Sequence, residues 1–472
     1  TLICAPLLHG LTGFDDLQWP LDEARISRYL CDPSEIRLES FFDGVEAVGP
    51  GCWIRIGATG VSRHRWWDPA MVPERRDITL REAQQELHRL TERAVHVRLP
   101  NDVSAGAHLS GGIDSTLITI IASQALRAQG RNLAGVYAWC PPVGDAYPDM
   151  GAGDERRVIS AQCQALGVSP AYGTASGKTI EALIAQPMEL EGMADLVDEL
   201  PVITQAREDG LGVMLSGWGG DEVFSSHGAG HMGWWLRKGR LRSILQRSRR
   251  NSGLRRPDRM AAFIWRASVV PMLPDAIYRH FNPFDDIYGD GAFPSCTMKR
   301  LYRQLDRTPS LRVVADAKAY MYALLRNGHI GERMATWAAW SAPAGFEYRY
   351  PLTDRKLLEF MLSLPRDILF GDATGRFLAR RAFAQLLPKG VKKNDLANTK
   401  RRHDSRMEWM YQISVDARQG RFHRDCPWLD MPALIDAIGC KPVNRLAEIR
   451  RFAAVFRALR VYEMHVRATH NS

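Results

Sequence analysis

The stretch "AHLSGGIDSTLIT", residues 107–119, decides how the rest of the chain is read. An apolar run leads through Leu109 to Ser110, and two glycines follow. An acid and two hydroxyls, Asp114, Ser115 and Thr116, then open what the pattern marks as a helix. Glycines have no Cβ, so their N–H groups can close on an anion. A helix N-terminus adds the positive end of its dipole. Leu109, Ser110, Gly111, Gly112 and Ser115 therefore form a candidate phosphate cradle. No lysine follows, so this is not GxxxxGK[ST], and it is not GxGxxG either. Asp114 inside such a cradle repels phosphate unless a cation bridges the two, which implies Mg²⁺. A Gly-Gly pair before a helix is also an ordinary tight turn.

A second stretch, "LSGWGGDEVFSSHG" (215–228), repeats the design. It too leaves an apolar run through Ser-Gly, here Ser216 and Gly217, and carries acids, Asp221 and Glu222. Two strand ends of this kind would set Asp114 and Asp221 around one metal–phosphate group.

The surroundings suit that reading. Residues 104–220 alternate apolar strands with helices. "SAGAHLS" is a buried strand, and a helix runs from Asp114 to about Gln129, with Gly130 at its end. "LAGVYAWC" (133–140) is the next strand, Asp154 to Leu166 a second helix, and "LGVMLSG" (211–217) another strand. This alternation predicts an α/β fold with a doubly wound parallel sheet, whose ligands sit beyond the carboxyl ends of the strands. After Phe224 the pattern is mainly helical. Before it, "GCWIRIGA" and "GVSRHRWW" are strand-like, and "WWDPAMVPERRD" (66–77) reads as a linker. A helix over 78–97 opens the main domain.

SGGxDS on a first strand, with SGxGxDE about a hundred residues later, resembles the asparagine synthetase-like ATP pyrophosphatase family. "GFEYRYPLTDRKLLEFMLSLP" (345–365) is similar to that family's GxExRxPxxDxxLxEFxLxLP segment. "GRFLARRAFAQLLP" (375–388) is similar to KxxLRxAxxxxLP, with Arg376 where many members have Lys. "LESFFDGVEAVGPGCWIRI" (38–56) resembles the tail of the family's N-terminal glutaminase-type domain. The resemblance implies an adenine nucleotide alpha hydrolase-like (PP-loop) fold over 76–472 with a helical C-terminal extension, after a remnant of an Ntn-type glutaminase-like β domain over 1–75. It implies ATP and Mg²⁺ as cofactors and adenylation as chemistry: a carboxylate attacks the α-phosphate, pyrophosphate leaves, and an amine displaces AMP. Ser110, Gly111, Gly112, Asp114 and Ser115 match the pyrophosphate loop. Ser216 and Gly217 match positions near the nucleotide, and Asp114 and Asp221 the Mg²⁺-binding acids. Asp154 and Glu155 resemble a substrate-site DE pair, although acids at a helix start are also ordinary N-caps. Val136 to Ala138 end the second strand, where adenine would pack.

Asparagine synthetases usually carry Glu between the glycines of the second motif; here it is Trp218. Indole is a donor only and takes no proton. A peptide α-amine, with pKa about 7.7–8.0, needs a base less. Trp218 and Glu222 are therefore substrate-side candidates, and Trp218 favours relatives that use a larger amine. The resemblance to lasso peptide cyclases implies a precursor peptide whose N-terminus closes on an Asp or Glu side chain, with a leader-binding or peptidase partner. The alternatives are an asparagine synthetase using ammonia or glutamine, and a non-catalytic nucleotide-binding relative. A cation late in the site would steady the adenylate. Lys389, Lys392, Lys393 and Lys400, in "KGVKKNDLANTKRR", are the candidates, with Lys393 and Lys400 carried forward as catalytic.

Composition narrows the classes further. Of 472 residues, 45% are hydrophobic and 24% charged, and no run is long enough to cross a bilayer. The net charge of +9 suits an anionic ligand; nucleic acid and membrane are not expected partners. Eight scattered cysteines show no CxxC or zinc-like spacing and read as reduced thiols of a cytoplasmic protein. The chain starts at Thr1 on an apolar segment, so further residues are expected upstream.

Overall fold

The computed structural model describes residues 3–12, 19–32, 39–58, 60–144, 147, 149, 151, 154–187, 196–250, 256–274, 277–278, 281, 291–306, 312–371, 375–388, 391, 395–422, 424–440 and 445–470. Near the start, the two glycine-punctuated pieces form a hairpin. In it β1 (Cys52–Gly57) pairs antiparallel with β2 (Gly60–Arg65). Every position of β2 is exposed, so this β-rich end adds little core.

Five further strands make one parallel sheet: β3 (Ala105–His108), β4 (Gly135–Ala138), β5 (Pro170–Tyr172), β6 (Val213–Leu215) and β7 (Glu347–Arg349). Their order is β5-β4-β3-β6-β7. Successive strand residues point to opposite faces, and the core divides accordingly. Val136, Ala138, Val213 and Leu215 join Leu117 and Ile121 of the Ile113–Ala128 helix on one face. Tyr137 and Met214 join Val202 and Ile203 of the Leu200–Glu208 helix on the other. Short apolar strands covered on both faces are what a parallel sheet needs, and the doubly wound expectation holds.

From β3 the chain moves outward to β4 and β5, then returns to the other side of β3 as β6. The direction of winding therefore reverses between β3 and β6, and a crevice opens beyond their carboxyl ends. Both glycine motifs leave the sheet there. The 113–128 helix ends on Gln129, and Gly130 follows with φ +71. The helix after β4 runs Glu155–Leu166 and closes on Gly167 in the left-handed conformation. The predicted 78–97 helix runs Leu80–His96, opened by a reciprocal cap between Thr79 and Glu82.

The sequence reading missed β5 and β7. "EYR" carries two charges and no apolar run. It becomes a strand because β6 offers it a free edge, with Glu347 N–H donating to Gly212 O at 3.0 Å and Ser216 N–H to Arg349 O at 2.9 Å. The stretch read as a linker is tied down. Trp67 Nε1 donates to Glu359 at 2.9 Å, Lys318 Nζ to Glu74 at 2.8 Å, and Arg75 N–H to Ser363 O at 2.8 Å. Upstream, Ile26, Leu30 and Phe41 share a buried cluster with Trp428 and Leu459. Helices dominate after β7, the longest being Asp395–Arg418 and Arg445–His470. Among the described residues no helix is long and apolar enough to cross a membrane. All eight cysteines are free thiols.

Candidate functional site

The turn after β3 is held by its own hydroxyls. Ser110 Oγ lies 3.1 Å from Ser115 Oγ, Ser110 N–H donates to Ser115 Oγ at 3.1 Å, and Gly112 N–H donates to Ser110 Oγ at 3.4 Å. The 113–128 helix starts at Gly112 with no side chain capping its first turn. Its leading N–H groups are thus left for an anion.

The second turn fits against the first through missing side chains. A Cβ on Gly217 would lie 2.8 Å from Ser115 N and 3.0 Å from Asp114 C; one on Gly220 would lie 2.5 Å from Asp114 Cγ. Only glycine permits this approach, and it brings Asp114 and Asp221 to one place. Ser216 Oγ accepts from Trp218 N–H at 3.2 Å and shapes the turn.

Asp114 is buried. Its Oδ2 accepts from Ser225 Oγ at 2.8 Å and from Arg376 Nη1 at 3.1 Å. Its Oδ1 is buried with no hydrogen-bond partner among the described residues. Burial pushes this carboxyl up to about 6, against the pull of the Arg376 charge. Asp221 Oδ1 accepts from Arg376 Nη2 at 2.5 Å and lies 3.5 Å from His227 Nε2. For Asp221 burial works upward, but hydrogen bonding to His227 and the Arg376 charge outweigh it and hold the carboxyl below its usual range.

One guanidinium thus spans the two acids that the sequence reading assigned to a metal. These residues fit Mg²⁺: a pair of carboxylates, one with an orphaned buried oxygen, is the protein share Mg²⁺ takes when phosphates supply the rest. Among the described residues no group of three or more metal-ligating side chains gathers.

Arg376 is the member of this cluster whose contacts the sequence did not disclose. It precedes the Phe377–Ala382 helix with φ +55, a left-handed conformation rare outside glycine, and its N–H donates to Ser226 O at 3.0 Å. The available signal was its place in the "GRFLARRAF" segment, where it replaces a lysine.

The other candidates separate. Leu109 and Ala138 put their side chains into the core; Leu109 N–H donates to Tyr137 O and Ala138 O accepts from Gly173 N–H. Glu155 packs against the first turn, its Cβ 3.5 Å from where a Cβ on Gly111 would be. Asp154 has another task. It caps the 155–166 helix and pairs with Arg156 at 2.7 Å, both side chains fully buried. Arg156 in turn donates to Pro142 O and Tyr147 O, so the pair holds both of those residues, while Asp154 caps the helix as an N-cap reading expects. Lys389, Lys392 and Lys393 lie outside the described residues. Lys400 falls in the 395–418 helix, but its side chain is outside them too.

Trp218 packs into an aromatic cluster. Its Nε1 donates to Ile330 O at 3.5 Å, its ring lies 5.4 Å from His329 and 6.0 Å from Trp337, and Arg333 sits 4.6 Å over it. Beneath, buried His108 Nε2 lies 3.0 Å from Glu199 Oε1, and Tyr348 OH donates to the same oxygen. Glu222 is buried with Oε1 3.4 Å from His329 Nε2, while its Oε2 has no hydrogen-bond partner among the described residues.

Comparisons with known proteins agree on one relationship. The family model described as asparagine synthase matches residues 86–410. The chain is similar to "Asparagine synthetase [glutamine-hydrolyzing] 3" of Bacillus subtilis (strain 168), at 22% identity over 399 residues, covering 81% of this chain and 59% of the relative. The chain therefore spans about three-fifths of the length of that relative.

Proposed function

The chain belongs to the asparagine synthase family, and on that footing we propose that it is an ATP- and Mg²⁺-dependent, AMP-forming carbon–nitrogen ligase. A carboxylate oxygen attacks the α-phosphorus of ATP and pyrophosphate leaves. An amine nitrogen then attacks the acyl carbon, and AMP leaves with the C–O bond pair. The observation that carries this reading is the convergence of Asp114 and Asp221 on a single cation, beside a helix start that no side chain caps. Ser110, Gly111, Gly112 and Ser115 would receive the pyrophosphate, and Ser216 and Gly217 would border the nucleotide. Mg²⁺, when bound, would neutralise phosphate charge; Asp114 and Asp221 would hold it, and Arg376 would turn from the carboxylates to the phosphate oxygens.

For the substrate, the name of the Bacillus relative, a glutamine-hydrolyzing asparagine synthetase, supports a small amino-acid carboxylate such as aspartate, with ammonia or glutamine as the nitrogen source. A second reading, ring closure on a precursor peptide, has Trp218 in its favour. An indole wall suits a bulkier amine and supplies no base. Residues 1–75 are read as the remnant of a glutaminase-type domain. The test is direct. The protein is incubated with ATP, Mg²⁺, aspartate and ammonia, and in parallel with ATP, Mg²⁺ and a candidate linear peptide. AMP and pyrophosphate are the expected products, whereas ADP and phosphate would refute adenylation.

A further inference from the structure

Amide formation requires the attacking nitrogen to shed a proton. Trp218 stands where a base is expected and cannot take one. Arg333 and Arg376 carry no lone pair to accept a proton, and His227 is drawn into the Asp221–Arg376 cluster. Among the described residues, His329 brings a proton acceptor to the edge of Trp218. His329 is the first residue of the His329–Ser341 helix, behind Gly328 at φ +84. Its backbone is fixed by Asn327 Oδ1, which accepts its N–H at 3.0 Å. Its ring is 5.4 Å from Trp218 and remains 23% exposed, and its Nε2 faces buried Glu222 Oε1 at 3.4 Å.

In the tautomer that carries its proton on Nε2, beside that carboxylate, the imidazole keeps a lone pair on Nδ1.

We propose that His329 accepts the proton of the attacking amine, and that Glu222 is the positioning residue that orients the imidazole. The proposal rests on the ligase reading above. In the step, the nitrogen lone pair forms the C–N bond, the acyl C–O bond breaks with its pair leaving on AMP, and the amine proton passes to His329 Nδ1.

The test uses two nucleophiles with ATP, Mg²⁺ and aspartate: ammonia, mostly protonated at neutral pH, and hydroxylamine, already free base there. A positioned base contributes about 10²–10⁴-fold. His329→Gln should lower amide formation from ammonia by about 10²-fold while keeping most hydroxamate formation from hydroxylamine. Added imidazole should restore part of the ammonia rate in His329→Ala. Glu222→Gln should show the same split to a smaller degree. Equal loss with both nucleophiles, or no loss with ammonia, overturns the proposal alone. Wild-type protein that releases no pyrophosphate under these conditions overturns the aspartate-ligase reading, and this proposal with it.

Discussion

Arg376 and Asp114 stand 262 positions apart in the chain, yet the guanidinium donates to the carboxylate at 3.1 Å. The same guanidinium reaches Asp221. Without it, two carboxylates would face each other with one largely buried. Arg376→Met should therefore destabilise the metal-free protein by about 3 kcal/mol, because removing one partner strands a buried charge. Mg²⁺ should then raise the melting temperature of the variant more than that of the wild type. Thermal unfolding in chelator and in Mg²⁺ measures both effects; an unchanged midpoint in chelator would count against the bridge.

Gly217→Ala tests the contact between the two turns. The added methyl would meet backbone, Ser115 N at 2.8 Å and Asp114 C at 3.0 Å. Backbone at a helix start does not yield as a flexible side chain does. The expected cost is about 1–3 kcal/mol, read as a lower denaturant midpoint, together with a loss of ATP-dependent pyrophosphate release larger than the stability change explains. Normal release would mean that the turns need not touch.

His231 governs part of the acid response. It is fully buried among Trp234, Trp235 and Phe370, with neither ring nitrogen hydrogen-bonded among the described residues. Burial lowers it to about 4 from an ordinary 6.5. The unfolded chain therefore takes up this proton first as pH falls, so stability is fully present above about 6.5 and is lost toward 4, by about 3 kcal/mol. Asp114, raised to about 6, acts in the opposite sense over the same window. The measurement is thus the difference between wild type and His231→Phe at each pH. That difference should move in favour of the variant between pH 6.5 and 4; a flat difference refutes the assignment.

The legible parts of this protein are those whose signals are local. An apolar strand end followed by Ser-Gly and an acid can be read without a partner, so "SGGIDS" and "SGWGGDE" disclosed two strand ends and both acids. The rest depends on distant chain. β7 is a strand only because β6 lies beside it, and Arg376 matters only because a left-handed backbone turns it toward Asp114. Asp154 shows the converse: one local pattern served two roles, and burial beside Arg156 gave it to the cap.

Trp218→Glu separates the two substrate readings. The substitution removes the indole from under Arg333 and beside Trp337, at a cost of about 2 kcal/mol, and puts a carboxylate at a wall that His329 borders. If the natural amine is ammonia, the new carboxylate supplies a second proton acceptor, and amide formation per folded molecule should rise relative to wild type. If the natural amine is a peptide N-terminus, the lost apolar wall should lower coupling of the peptide while ammonia use improves from a low level. Mass spectrometry of amidated and cyclised products, normalised to the folded fraction from denaturant titration, gives the ratio of the two. A ratio unchanged by the substitution would mean that Trp218 does not border the amine, and the argument from its indole would fall for both substrates.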